Sequence, residues 1–321
     1  MIDPRLSRSL RAAAALAASI TLAACAHAPA SSEPPALQLA DAERFARLMG
    51  PGNPPTAAEL QAGYLAPATP GVTIFTPNRI VSAENLAAAV RTSPVDYRKA
   101  IDLCLPVARQ MQGETSRLMA RVGRELGQAQ PAPAYAVIGA GNSGGTADAR
   151  GLVLGLEVIC QTANSADDAR QILRDFVAHE MTHVYQARAN VEERESDLLH
   201  QSLVEGFADL VMERALDGTP PLTGAERSRH GHANEAALWR EFKADVDAGR
   251  TDTEWLYKQK MSKPGRPPDM GYWIGKRICE AFLAQAADKP AAMRTLLELR
   301  DARAILAASG YAQRFAGVAR P

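Results

Sequence analysis

One pentapeptide, His179-Glu180-Met181-Thr182-His183, restricts this chain more than any other feature. Residues four apart on an α-helix share a face and nearly eclipse, so a helical segment here points both imidazoles the same way. The flanking residues favour a helix. Ser165 reads as an N-cap, Asp167 and Asp168 fall in the first turn, and the helical pattern continues to about Ala189. Ile172, Leu173, Phe176, Val177 and Val184 make this helix largely buried. Buried imidazoles need partners, and a metal ion is the simplest one that two can share. A catalytic zinc site requires three protein ligands and an open position. The fold must therefore bring another element against this helix.

Several residues are candidates for the third ligand. Glu192, Glu193 and Glu195 lie in the charged run EERESD, which reads as a solvated loop soon after His183. His200, His230 and His232 are imidazole candidates. Glu205 stands in a second helical stretch, about Asp197 to Leu216, that closes at Asp217-Gly218-Thr219-Pro220-Pro221. A carboxylate on such a helix ordinarily faces solvent, but three features favour Glu205. The preceding loop lets this helix return alongside the first, Gly206 allows close helix approach, and Asp209 at i+4 can accept a ring N–H from a ligating histidine. Glu180, rotated ~100° from His179, is placed to act as general base on water.

The rest of the mature chain supplies a frame. Residues 40–72, rich in Pro and Gly around AERFARLM, read as a loose lead-in. Ser93-Pro94-Val95-Asp96 reads as the start of a helix running towards Gly127, with a break or kink at Pro106. Residues 134–159 read as two strands joined by a glycine-rich loop, and the strand around 152–159 could pair with an extended peptide as an edge. The loop contains Gly139, Gly141 and Gly144 in G-x-G-x-x-G spacing. A dinucleotide site needs those glycines to open a helix, whereas here they lead to the β-like GLVLGLEVI. Further helices are expected over NEAALWREFKADVDA and from about Trp273.

HEMTH followed by Glu205-Gly-Phe-Ala-Asp209 resembles the gluzincin pattern. More narrowly, IGAGNSGGTAD…GLVLGLE, HEMTH, VEGFADL, Trp239…Phe242, WLY and GYWIGKRI are together similar to a bacterial family of uncharacterised domains labelled predicted Zn-dependent proteases, over about residues 80–300. The resemblance implies His179, His183 and Glu205 as zinc ligands, Glu180 as base and Asp209 as the group that orients a histidine. It implies a zinc peptidase and an α+β fold: a predominantly helical zincin-like domain with a small β-sheet. It supplies no substrate. A donor for the developing oxyanion is also needed; Tyr272, in the Gly-Tyr turn that opens a helix, is the first candidate, and His230 or His232 the second.

The N-terminus suggests where such a protein works. Arg5, Arg8 and Arg11 precede an apolar run too short for a comfortable membrane span, ending in Leu22-Ala23-Ala24-Cys25. This resembles a bacterial lipobox, which implies a signal peptide over 1–24 and a lipid, including palmitate, on Cys25. Ala26 resembles the outer-membrane-sorted class. Residues 25–40 then form a Pro/Ser/Ala tether, 41–80 the lead-in, and 81–321 the metallohydrolase domain. Lys plus Arg equals Asp plus Glu at 36 each, which argues against nucleic acid or an acidic membrane surface as partner. The expected partners are a peptide or protein substrate in the cell envelope and the membrane that holds the anchor. A metal-stabilised envelope binding or assembly lipoprotein without activity is the other reading, though a purely structural zinc site has no use for Glu180. Cys104, Cys160 and Cys279 contain no C-x-x-C; one disulfide is permitted, and three small buried residues is the simpler reading.

Overall fold

The computed structural model describes residues 37–50, 54–67, 69–130, 132–191, 197–250, 254–257 and 264–316. Cys25 with most of the tether, and the run containing Glu192, Glu193 and Glu195, lie outside them.

Strand β1 (Leu37–Gln38) leads into helices α1 (Ala40–Leu48), α2 (Ala57–Leu60), α3 (Pro70–Phe75) and α4 (Ala83–Thr92). A capping box between Thr56 and Glu59 starts α2, and the Ser82 hydroxyl starts α4 by accepting from Asn85 N. The expectation of a loose lead-in is corrected. Phe45, Leu60, Tyr64 and Phe75 are fully buried in the common core, and the Tyr64 hydroxyl donates to the Ile138 carbonyl at 2.7 Å. Short helices between the prolines carry enough large side chains to be structural.

Next come α5 (Tyr97–Lys99), α6 (Leu105–Gln110) and α7 (Gln112–Glu125). Ser93 ends α4 instead of starting a helix, and Asp96 supplies the cap by accepting from Lys99 N. Pro106 is accommodated by a π-helical turn over Ala100–Cys104, and the break falls later, at Met111. Cys104 and Cys160 are joined in a disulfide with Cα atoms 6.0 Å apart, leaving buried Cys279 as the free thiol among the described residues. The reading of three separate buried cysteines is therefore corrected; the partners are 56 residues apart and sequence spacing alone does not pair them.

The glycine-rich region contains three strands, β2 (Ala134–Val137), β3 (Gly145–Asp148) and β4 (Gly151–Gly155), followed by helix α8 (Leu156–Ile159). The sheet order is β1-β2-β4-β3, with β3 antiparallel to β4 and the other pairs parallel. Residues 152–155 are thus central, buried between β2 and β3, and 156–159 are helical. The edge strands are β1 and β3, and β3 is half-buried along its length. The apolar run GLVLG reads as a strand either way; its central position follows from the β3–β4 hairpin at Ala149-Arg150, where Asp148 accepts from Arg150 N at 2.7 Å.

The frame of the site is three helices: α9 (Ala166–Arg188), α10 (Leu198–Ala215) and, beyond α11 (Ala225–Asp247), α12 (Met270–Gln285). Ser165 caps α9 as the sequence predicts, and Asp197, at the expected start of α10, caps it by accepting from His200 N. Helix α9 packs on β3 and β4 with one face and on α7 and α10 with the others. α10 and α12 cross with backbones in contact: a Cβ on Gly206 would lie 2.1 Å from Lys276 N, and one on Gly275 only 1.6 Å from the Ser202 carbonyl oxygen. Gly206 does permit close approach, but the helix it admits is α12. Helix α11 starts nine residues before the predicted Asn234, which instead marks a kink with φ −128° and ψ 18°. Helices α13 (Lys289–Glu298) and α14 (Ala302–Ser309) close the fold, which is α+β and predominantly helical as expected.

Candidate metal centre

Helix α9 presents His179 and His183 on the face that meets α10, and α10 brings Glu205 to the same point. His179 Nε2 and His183 Nε2 are 3.0 Å apart, and Glu205 Oε2 lies 3.2 Å from each. Among the described residues, these three form the group able to hold a metal ion. Four ligands on a tetrahedral zinc at its usual bond lengths stand about 3.3 Å apart. The three atoms already lie close to that spacing, so the donor set fits such an ion. The side chains retain 14%, 13% and 9% exposure, so the group is not sealed from solvent.

Each imidazole has an acceptor at Nδ1, which leaves Nε2 as the nitrogen that faces the centre. His179 Nδ1 lies 3.0 Å from Asp209 Oδ1, and His183 Nδ1 lies 2.6 Å from Gln186 Oε1. Both acceptors require the proton on Nδ1 and leave the Nε2 lone pair for a cation. Each acceptor is fixed in turn. Arg227 donates to Asp209 Oδ2 at 3.1 Å, and Gln186 Nε2 donates to the Val204 carbonyl at 3.0 Å.

The electrostatics call for positive charge at the centre. Burial opposes charge on His179, yet the hydrogen bonds it makes to Asp209 and Glu205 raise its pKa to about 10. Burial likewise opposes charge on His183, and Glu205 outweighs it. Glu205 sits well below the usual carboxylate range despite burial, because the two histidines surround it. Asp209 is also lowered against burial, by His179 and Arg227. A metal ion would satisfy the same demand and displace the protons.

Glu180 is buried beside this group, and burial raises its carboxyl above the ordinary value while His183 and His179 partly offset that. It lies directly against the edge strand, where a Cβ on Gly145 would be 2.4 Å from Glu180 Oε1. Gly144 similarly leaves room for Phe176, whose ring a Cβ would approach to 2.6 Å. The glycines after Ser143 therefore let β3 pass over α9, and the loop leads into a strand rather than a phosphate-binding helix.

No family model, no curated protein and no solved structure matches the chain. The chemistry rests on the geometry.

Of the sequence-predicted residues, His179, His183, Glu205, Glu180 and Asp209 come together. Tyr272 lies beside them, its ring parallel to the His179 imidazole at 6.0 Å and 4.7 Å from the Arg227 guanidinium carbon. His200, buried in the first turn of α10, is not in the group. His232 packs edge-on against Trp273 at 5.5 Å, and His230 accepts from Asn234 through its carbonyl. Among the described residues, no hydrogen bond or ring contact ties His230 or His232 to the centre. Three participants went unread in the sequence: Gln186, Arg227 and Tyr257, whose hydroxyl donates to Glu205 Oε1 at 2.6 Å. Gln186 had a signal, standing three residues after His183 on the same helix face. Tyr257 closes the WLY motif, which marks the residue but gives it no role, and Arg227 had no signal, being set by tertiary packing.

Proposed function

We propose that this chain is a zinc-dependent hydrolase, a peptidase by substrate class, attached to the cell envelope through a lipid on Cys25. The observation that carries the reading is the convergence of His179 Nε2, His183 Nε2 and Glu205 Oε2 within 3.2 Å, with the Glu180 carboxylate beside them. Two imidazoles and one carboxylate suit zinc, with a fourth position left for water or substrate. Zinc, when bound, supplies Lewis acidity to a carbonyl and lowers the pKa of water.

The protein groups account for the proton transfers and for orientation. Glu180, buried and with its pKa raised, takes a proton from water and returns it to the leaving amine. Asp209 and Gln186 keep both histidines in the ligating tautomer. Tyr272, next to His179, is the candidate donor to the developing oxyanion. Strand β3 supports a peptide as substrate, since it is an edge strand and its first residue lies against Glu180; an extended chain pairing there would run past the base.

The Cys104–Cys160 disulfide suits an oxidising compartment and so supports export. Incubating the full chain with a peptide library, with and without chelator, tests the proposal. Cleavage should require metal, and Glu180→Gln should retain about one zinc while losing cleavage. Unchanged cleavage by that variant would refute the base; absence of zinc from the wild type would refute the ligand set.

A further inference from the structure

The segment Glu254–Tyr257 approaches the centre from outside the α9–α10 pair. Trp255 anchors it: the ring is 1% exposed, its Nε1 donates to Asp245 Oδ2 at 2.8 Å, and the Arg266 guanidinium stacks 4.2 Å from the ring centroid. The Trp255 carbonyl accepts from Gly271 N at 2.9 Å, which ties this segment to the start of α12, where Tyr272 stands. Leu256 is buried as well.

Two residues past that anchor, Tyr257 has φ +60°, a left-handed conformation that is costly for a bulky side chain. Such strain persists where the surroundings over-determine it, and it clusters at functional sites. Its consequence here is directional. The Tyr257 ring stands edge-on to Tyr272 at 6.2 Å, and its hydroxyl meets Glu205 Oε1 at 2.6 Å and Gln201 Oε1 at 3.1 Å. A phenol carries one proton, and the shorter contact to the charged carboxylate takes it. Glu205 is thereby divided between two tasks, with Oε2 facing the histidines and Oε1 held by Tyr257.

We propose that Tyr257 is a positioning residue that makes Glu205 a one-oxygen ligand and so keeps a coordination position open for substrate. This rests on the metal-site reading above. A carboxylate free at both oxygens can bind a cation through either or both; one whose second oxygen accepts a short, charge-assisted hydrogen bond is directed to use the first. Packing of the ring on Tyr272 alone would not require the hydroxyl.

The test uses the full chain and Tyr257→Phe, which keeps the ring and alters a side chain 59% exposed. Zinc affinity is measured by competition with a chromogenic chelator, and cobalt(II) is loaded in place of zinc to report coordination number by visible absorption. The expected result is about a 10- to 100-fold loss of zinc affinity, with a weaker cobalt band as the freed oxygen joins the metal. Unchanged affinity together with an unchanged cobalt spectrum overturns the proposal. So does a lower metal-free melting temperature with no change in either metal readout, because that assigns the tyrosine to packing. If the wild type binds neither ion, the metal-site reading itself fails and takes this inference with it.

Discussion

His179 Nδ1 and Asp209 Oδ1 stand 3.0 Å apart on neighbouring helices, and Arg227 holds the other oxygen of the same carboxylate. That pair makes the centre a property of two helices rather than of one motif. Asp209→Ala removes the acceptor that fixes the imidazole and leaves the Arg227 guanidinium without its carboxylate. Zinc affinity should fall about 10- to 100-fold, and the fold should lose about 1–3 kcal/mol from the charge left without its partner. Gln186→Leu should produce a similar affinity loss through His183 with a smaller stability cost, since it unpairs one carbonyl instead of a charge. Chelator competition and denaturant melts measure both quantities. Equal zinc affinity in the two variants and the wild type would remove the orienting role.

Metal removal should destabilise the folded chain. Four ionisable groups, His179, His183, Glu205 and Asp209, converge with Glu180 in a largely enclosed space, and the carboxylates there favour the charged form of both histidines where a cation could stand instead. Zinc at about a thousand times its dissociation constant adds about 4 kcal/mol of stability by mass action. A scanning melt with zinc and with chelator should therefore differ by several degrees. Coincident melts would mean the ion does not bind the native state.

The sequence displayed this centre unevenly. His179, Glu180 and His183 are spaced by helix geometry, and Glu205 and Asp209 repeat that spacing on the next helix, so local periodicity suffices to read them. Arg227 comes from the first turns of α11 and Tyr257 from an irregular segment, and their positions depend on how α11 and α12 pack. Strand β3 was missed because GTAD has no apolar alternation; it is a strand through its pairing with β4. Pro and Gly in residues 40–80 suggest punctuation and so hide the helices there, whose Phe45 and Tyr64 fill the core.

Gly275 should be among the least tolerant positions. A Cβ there would sit 1.6 Å from the Ser202 carbonyl, on the α10 turn that precedes Glu205, so α12 and α10 would have to separate. Gly275→Ala should cost more than about 3 kcal/mol, in the range of severe overpacking, and should weaken zinc binding as well. Gly127→Ala is the control: its φ of +64° strains an alanine, but nothing lies within 4 Å, and the cost should be about 1 kcal/mol. Denaturant unfolding of the two variants compares them directly. A similar loss in both would show that the crossing relaxes to admit a methyl group.

Glu157 makes stability depend on pH from inside the glycine loop. It is fully buried on α8, and Oε1 accepts from Gly141 N at 3.2 Å. Burial pushes its carboxyl up to about 7, with the backbone N–H groups of Gly139, Glu157 and Gly141 only partly offsetting that. The folded chain therefore holds this proton more tightly than the unfolded chain, whose glutamate titrates near 4.5. The stabilising contribution is complete below pH 4.5 and is lost as pH rises through 7, by up to about 3 kcal/mol. Glu157→Gln cannot ionise and can still accept from the loop. Measured with chelator present, so that metal binding does not contribute, its stability should change less between pH 5 and pH 8 than that of the wild type. The wild type should be the one that loses stability at the higher pH. Parallel pH profiles for the two proteins would show that the carboxylate ionises in the loop at no cost.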